Sequence, residues 1–350
     1  MCGFRESEIA DALNQIATEC DFPEQQVNDA LHLMRTFYNG YCFNLSIHDF
    51  IYNPTLALYF LKHFQQMCQS PSQMLDDNLA MDRGKITYIS QLPQGEQLIV
   101  QALNGSEPLS ISQLSNRFGV EDMLHASKDT RFLISLLYYF GILTLDGKNE
   151  FGKWCFKIPN LVVRKLYVER ILEMFLPQKQ EREEIRLLAE KFYKTGDLQP
   201  LCDFMEQRYF KPFDNRDYQS ANELTIKTAF FTVLFDDVFY MMDSETSLER
   251  RYADLTMIIR PEQRKVKIHD FIFEFKYLKL SDVGMSGEKV RTLTIDELKA
   301  LASVKDKLAE SEKQLLDYQT RLLSKQDHPL RLKLISVVAV GFERVVWQNV

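Results

Sequence analysis

The chain has 350 residues, 45% of them hydrophobic and 26% charged, with a formal net charge of −7. Such a composition supplies the core of two or three globular domains and excludes a disordered or fibrous chain. The acidic balance excludes a global basic field that would recruit nucleic acid, while leaving room for one local basic groove.

In chain order, 4–38 reads as two amphipathic helices split near Asp21-Phe22-Pro23, with Pro23 in a first turn after an Asp cap. "FYNGYCFN" follows, where Asn39-Gly40 marks a turn and Tyr38 and Tyr41 read as turn packing. In "IYNPTLALYFLKHF", Asn53 is placed to cap a helix with Pro54 at its first position. "LSISQLSNRFG" (109–119) reads as a short helix ended by Gly119, and 130–145 as a buried helix running into a strand. "DGKN" (146–149) is then a hairpin turn and "KWCFKIPN" a return strand. Helix, helix and two-stranded wing is the winged-helix order; its helix is mostly apolar, only Lys128 and Arg131 could reach phosphates, and such a module serves more often as a packing or partner surface.

Residues 161–210 read as helical, with a domain boundary near Lys211-Pro212-Phe213. A helix (221–236), two strands within "RRYADLTMIIRPEQRKVKIHDFIFEFKYLK" (250–279), a loop (281–294), a long helix (295–325) and a strand (332–341) complete the chain. On the long helix, Leu301, Leu308, Leu315 and Leu322 recur every seven residues; Lys305 and Glu312 break the second apolar row, so the stripe suits packing on a sheet better than a coiled coil.

The six cysteines (Cys2, Cys20, Cys42, Cys68, Cys155, Cys202) form no CxxC pair and have no His at zinc-ligand spacing. Scattered thiols fit a reducing compartment rather than a disulfide framework. MCGFRESEIA carries no signal-like apolar run, and the most apolar segment, 132–145, is shorter than the roughly 20 residues that span a bilayer. The expectation is a soluble cytoplasmic protein with no membrane partner.

Charges inside two apolar strands call for an explanation, because buried charges are paired, hydrogen-bonded or metal-bound. Strand alternation places Phe271, Phe273, Phe275 and Tyr277 on one face and Ile272, Glu274 and Lys276 on the other; Asp254 shares a face with Thr256 and Ile258. A hairpin pairing sets Asp254 beside Glu274 and Lys276. Two carboxylates suit a hard divalent ion such as Mg²⁺ or Mn²⁺, which stabilises charge at a phosphodiester and lowers the pKa of bound water, while a lysine orients that water. The alternative is a salt bridge on a half-exposed sheet. Glu223 opens the preceding helix, either as a member of this site or as the end of a capping box with Ser220. His269, just before the second strand, could assist a metal, but a lone His there reads more readily as a loop or cap residue. Residues 249–279 hold eight Lys/Arg against five Asp/Glu, a local positive excess that would attract a phosphate backbone or form a solvated hairpin.

"YADLTMI" followed by "FIFEFKYLK" resembles the Asp…Glu-x-Lys core of the PD-(D/E)xK nuclease superfamily. The family often carries a Gln and an aromatic on the helix after the core, and "EKQLLDYQ" offers Gln314 and Tyr318. "YNGYCF", "YNPTLALYFL", "LLYYFGILTL" and "FKIPNLVVRKLY" resemble bacterial proteins that join an AAA-ATPase-like domain to a C-terminal nuclease-like domain. Those proteins normally begin with a P-loop; here Gly84-Lys85-Ile86 lacks the upstream Gly and the hydroxyl residue, so no ATP site is found.

The resemblance implies an α/β (α+β overall) chain with a helical, winged-helix-containing N-terminal region and a restriction-endonuclease-like αβββαβ C-terminal domain. Its parts are a helical remnant of the AAA-ATPase-like region (1–90), a winged-helix-like segment (91–165), a helical linker (166–212) and the nuclease-like domain (213–350). The implied activity is Mg²⁺- or Mn²⁺-dependent hydrolysis of nucleic acid, DNA ahead of RNA. Asp254 and Glu274 would ligate the metal, Lys276 would place the water, and Glu223 and Gln314 would assist. The alternative is a catalytically inactive scaffold, and the helical N-terminal region offers a surface for a protein partner.

Overall fold

The computed structural model describes residues 3–43, 50–75, 82–105, 108–116, 118, 128–210, 223–243, 246–248, 251–323 and 329–350. The chain divides into two compact units, Met1–Ile171 and Leu172–Val350. Gly119, the boundary expected at 211–213 and the Ser220 partner of a capping box lie outside the described residues.

In the first unit, α1 (Glu6–Cys20), α2 (Glu24–Tyr38) and α3 (Pro54–Met67) pack on one another. Their buried residues recur at helical spacing: Ile9, Leu13 and Ile16 on α1, and Ala30, Leu33, Met34 and Phe37 on α2. Asn53 caps α3 by accepting from the amides of Thr55 and Leu56, with Pro54 in the first turn, as the sequence implies. Pro23 departs from expectation. It is itself the cap position of α2, while Asp21 ends α1 in the left-handed region (φ 55). Closure of α1 through Phe22 N to Ala17 O uses up the residues that would have capped α2.

Helices α4 (Asp82–Ser90) and α5 (Gly95–Asn104) follow. Two of the short motifs meet in this unit. Gly40 adopts φ +119, and a Cβ there would fall 1.9 Å from the Pro159 carbonyl oxygen, so only glycine fits. Asn160 Nδ2 donates to Tyr38 O at 3.3 Å, and the Tyr38 hydroxyl donates to Met74 O at 2.7 Å. Tyr41 bridges to Ile51. Both tyrosines are packing residues.

The segment from 109 corrects the expectation of a helix. Leu109–Ile111 is strand β1, with Leu109 and Ile111 buried on one face. After α6 (Thr130–Tyr139) come β2 (Thr144–Lys148) and β3 (Trp154–Lys157), giving an antiparallel sheet of order β1-β3-β2. Pairing of Leu109 to Phe156 and Ile111 to Trp154 holds β1 extended, and this tertiary pairing overrides local propensity. The hairpin turn falls later than 146–149. Strand β2 continues through Lys148 after a register shift, and Asn149 makes the turn by accepting from the amides of Phe151 and Lys153. The Arg131 guanidinium donates to the carbonyls of Gln113 and Leu114, and Lys128 Nζ lies 5.8 Å from the Tyr88 ring centre.

Helix α7 (Leu161–Phe175) runs to the second unit, where α8 (Lys179–Thr195), α9 (Gln199–Phe204) and a π turn (Met205–Tyr209) complete the helical stretch. The remaining elements are α10 (Glu223–Val233), β4 (Tyr240–Asp243), β5 (Thr246–Leu248), β6 (Arg251–Ala253), β7 (Leu255–Ile259), β8 (Asp270–Leu278), α11 (Leu280–Val283), α12 (Gly287–Thr292), α13 (Ile295–Ala300), α14 (Ala302–Leu323), β9 (Leu332–Val340) and β10 (Arg344–Asn349). Five strands form a mixed sheet of order β10-β9-β8-β7-β4, in which β8 and β9 are parallel and the other pairs antiparallel. Strands β5 and β6 form a separate ribbon. The order α10-β4-β7-β8-α14-β9 is the expected αβββαβ, with β10 added at the edge. A parallel β8–β9 pair requires a crossover, and α11 to α14 supply it.

Two expectations in that crossover are corrected. The loop expected over 281–294 contains α11 and α12. The long helix is interrupted at Leu301 (ψ 134), so the Thr294–Glu297 capping box starts only a short helix, α13, and α14 begins anew at Ala302. On α14, Val304, Leu308, Leu315, Tyr318 and Leu322 are buried against β8 and β9, so the leucine stripe serves sheet packing.

Candidate active site

Strand β8 is built from two unlike faces. Phe271, Phe273 and Phe275 stack along one, where Phe192 of α8 lies 4.4 Å from Phe271 and Phe230 of α10 lies 5.2 Å from Phe275, centre to centre. Ile272, Glu274 and Lys276 share the other face, with Leu278. There Leu278 joins Val338, Val340, Val304 and Leu308 in one apolar cluster. The Phe face fixes which side chains point away from it, so the charged face of β8 is a consequence of the aromatic one.

The β7–β8 register pairs Leu255 with Phe273 and Thr256 with Ile272. Continued by one residue, it sets Asp254 opposite Glu274. Asp254 occupies the bend between β6 and β7, and its Oδ2 accepts from the amide of Phe275 at 2.8 Å. Lys276 Nζ donates to Glu274 Oε1 at 2.8 Å. It also lies 3.8 Å from Glu223 Oε1, at the start of α10, and 3.8 Å from Glu310 Oε1, on α14. Asp254, Glu274 and Lys276 therefore converge as the strand pattern implies, and Glu223 lies beside them. Gln314 and Tyr318 follow Glu310 at helical spacing on α14, and Gln314 Oε1 is buried without a hydrogen-bond partner.

Burial makes this cluster energetically unusual. Glu274 is 3% exposed and Lys276 5%. Burial pushes the Glu274 carboxyl up to about 7, and Asp254 adds repulsion against the opposing pull of Lys276. Burial likewise raises Glu223, against the pull of Lys276. Burial alone would lower Lys276, but the carboxylates of Glu274, Glu223 and Asp254 together hold it above the ordinary lysine value. Glu274 Oε2 is buried without a hydrogen-bond partner. Ser336, the β9 residue in register with Glu274, and Ser311 on α14 are fully buried and also have unpartnered hydroxyls. Such atoms carry a desolvation cost that a bound ion or water relieves.

Two further members were not foreseen. Lys227 is 6% exposed, with its Nζ 3.9 Å from Asp254 Oδ1. It lies four residues after Glu223, and is the lone cation in the apolar run "ELTIKTAFF", which is the signal that marks it. Glu310 lies four residues before Gln314, so helical spacing from that residue points to it. His269 donates its amide to Tyr193 O and is backbone-anchored at the strand entry. The local basic excess is partly consumed inside the fold. Arg260 is fully buried, donates to the carbonyls of Asp237 and Val238 and pairs with Glu262; Arg264 pairs with Asp270.

Among the described residues, no group of three or more His, Cys, Asp or Glu is arranged to hold a metal. The donor set fits a more modest demand. Asp254 and Glu274 are two hard carboxylates, one with a free buried oxygen, and Mg²⁺ is commonly held by one or two carboxylates plus water and phosphate oxygens. No helix among the described residues is long and apolar enough to cross a membrane.

No curated protein and no solved structure matches this chain. Residues 221–348, which contain Glu223, Asp254, Glu274, Lys276, Gln314 and the mixed sheet but for the last residue of β10, match the family model of the PD-(D/E)XK nuclease superfamily.

Proposed function

We propose that Asp254, Glu274 and Lys276 form a divalent-metal site for phosphodiester hydrolysis of nucleic acid, with Glu223 and Gln314 assisting. The observation that carries this reading is the unpartnered, buried oxygen of Glu274 beside Asp254 and Lys276, within a segment that matches a nuclease family. Asp254 and Glu274 would hold Mg²⁺ or Mn²⁺, which supplies charge stabilisation at the phosphate and a more acidic water. The Phe275 amide fixes Asp254, so this carboxylate is aimed before any ligand arrives. Lys276 holds a positive charge at the site and positions a water for in-line attack. The buried β8 face limits access of bulk water around these groups.

The N-terminal parts are read as a helical AAA-ATPase-like region over 1–90, a winged-helix-like segment over 91–165 and a helical linker to 212. The order β1-α6-β2-β3 and its antiparallel sheet support the second of these. A second reading, a catalytically inactive scaffold, draws on the closed Glu274–Lys276 pair.

The test is hydrolysis of single- and double-stranded DNA and of RNA by the full chain with Mg²⁺ or Mn²⁺. Asp254→Ala and Lys276→Ala are each expected to lower the rate by about 10²–10⁴-fold, the range for losing a positioned catalytic group. Equal cleavage by all three proteins removes the assignment. Calorimetric titration with Mn²⁺ separates the scaffold, for which Asp254→Ala removes no binding.

A further inference from the structure

Away from this site, the first unit brings two thiols together. Cys20 closes α1, and Cys68 follows α3 directly; their sulfurs are 2.8 Å apart. The two helix ends are independently braced. Gln65 Nε2 donates to Glu19 Oε2 at 2.6 Å, Gln26 Nε2 donates to Cys68 O at 3.5 Å, and the Phe22 and Phe64 rings lie 4.8 Å apart. Cys68 is solvent-exposed and Cys20 half-buried. Cys42, Cys155 and Cys202 are buried.

We propose that Cys20 and Cys68 form a reversible, peroxide-generated disulfide that clamps the ends of α1 and α3. The sulfurs need only close from 2.8 Å to the bonded distance of about 2.0 Å, less than one rotamer change moves them. The exposed Cys68 sulfur attacks hydrogen peroxide. Its S–O bond forms as the O–O bond breaks, leaving a sulfenic acid on Cys68 and one water once the departing hydroxide takes up the thiol proton. Cys20 then attacks the Cys68 sulfur. The S–S bond forms, the S–O bond breaks, and the hydroxyl leaves with the Cys20 proton as a second water. Two thiols lose two electrons, and one peroxide becomes two waters. A small thiol such as glutathione returns both cysteines by exchange.

The bridge closes a long loop, since the two cysteines are 48 positions apart. Constraining that loop stabilises the first unit chiefly through its unfolded state. The site requires neither catalysis nor metal, so its success or failure is independent of the nuclease reading.

The experiment treats the full chain with hydrogen peroxide, blocks remaining thiols with an alkylating reagent and maps peptides without reductant. The expected result is one cross-linked peptide pair containing Cys20 and Cys68, lost on adding dithiothreitol, with an unfolding midpoint above that of the reduced chain. In Cys20→Ser, Cys68 is expected to proceed to sulfinic acid at a peroxide dose that leaves the wild-type pair as disulfide. The proposal is overturned if both cysteines remain alkylatable after peroxide. It is equally overturned if Cys68 links to another cysteine, or if wild type over-oxidises Cys68 as readily as the variant.

Discussion

Two carboxylates on β8, four residues apart, are both deeply buried and are treated in opposite ways. Asp270 is fully buried, yet each of its oxygens is served: Oδ1 accepts from Ile259 N at 2.8 Å, and Oδ2 accepts from Arg264 at 2.7 Å and Arg331 N at 2.9 Å. Glu274 has one oxygen on Lys276 and the other on nothing. A fold that completes the hydrogen bonds of one acid and leaves its neighbour on the strand half-served uses the first as structure; under the proposed function, the second is the one available to a ligand. The difference lies in what surrounds each residue. At the strand entry, the turn through Pro261–Gln263 and the backbone at Arg331 bring donors in; in the middle of the strand, Asp254 and Glu223 bring further negative charge.

The largest effect is expected where the carboxylate is fully served. Asp270→Ala strands the Arg264 guanidinium and two amides, and breaking a buried pair from one side costs about 3–5 kcal/mol. Chemical denaturation of the full chain measures this; a loss below about 1 kcal/mol, the range for exposed pairs, would mean that Asp270 is no keystone. Next comes the half-served acid. Because the folded-state value of Glu274 lies above its unfolded value of about 4.5, the folded protein binds a proton that the unfolded chain releases. Its contribution is therefore fully present below pH 4.5 and is lost as pH rises to about 7, on the order of 3 kcal/mol in total. Glu274→Gln is expected to flatten that part of the stability–pH curve without metal. An unchanged slope places the titration elsewhere.

The same strand explains what the sequence makes legible. Phe271, Phe273 and Phe275 declare their face by alternation, and that alone assigns Glu274 and Lys276 to the opposite one. Asp254 follows because a hairpin between β7 and β8 is the short connection available. Edge strands are harder to see: β4 is four residues long and β10 lies directly after a tight turn, so neither offers a long alternation. Strand β1 reads as helix because three residues of alternation are outweighed by neighbours, and only its pairing with β3 decides. Lys227 and Glu310 escaped for another reason. Their roles depend on where α10 and α14 meet β8, and helical spacing gives a face but not the strand it covers.

Glu310 marks the rim of the contrast between served and unserved acids. It is half-exposed, lies 3.8 Å from Lys276, and its carboxyl is held below the usual range first by the Lys307 hydrogen bond at 2.7 Å. Solvent screens such a pair, and exposed ion pairs contribute about 0–1 kcal/mol. Glu310→Gln is therefore expected to change stability by less than about 1 kcal/mol, and the metal-dependent rate by less than about fivefold, the equivalent of that energy. A loss as large as that of Asp254→Ala would carry a different meaning. It would show that the exposed acid takes part in the reaction alongside the buried one.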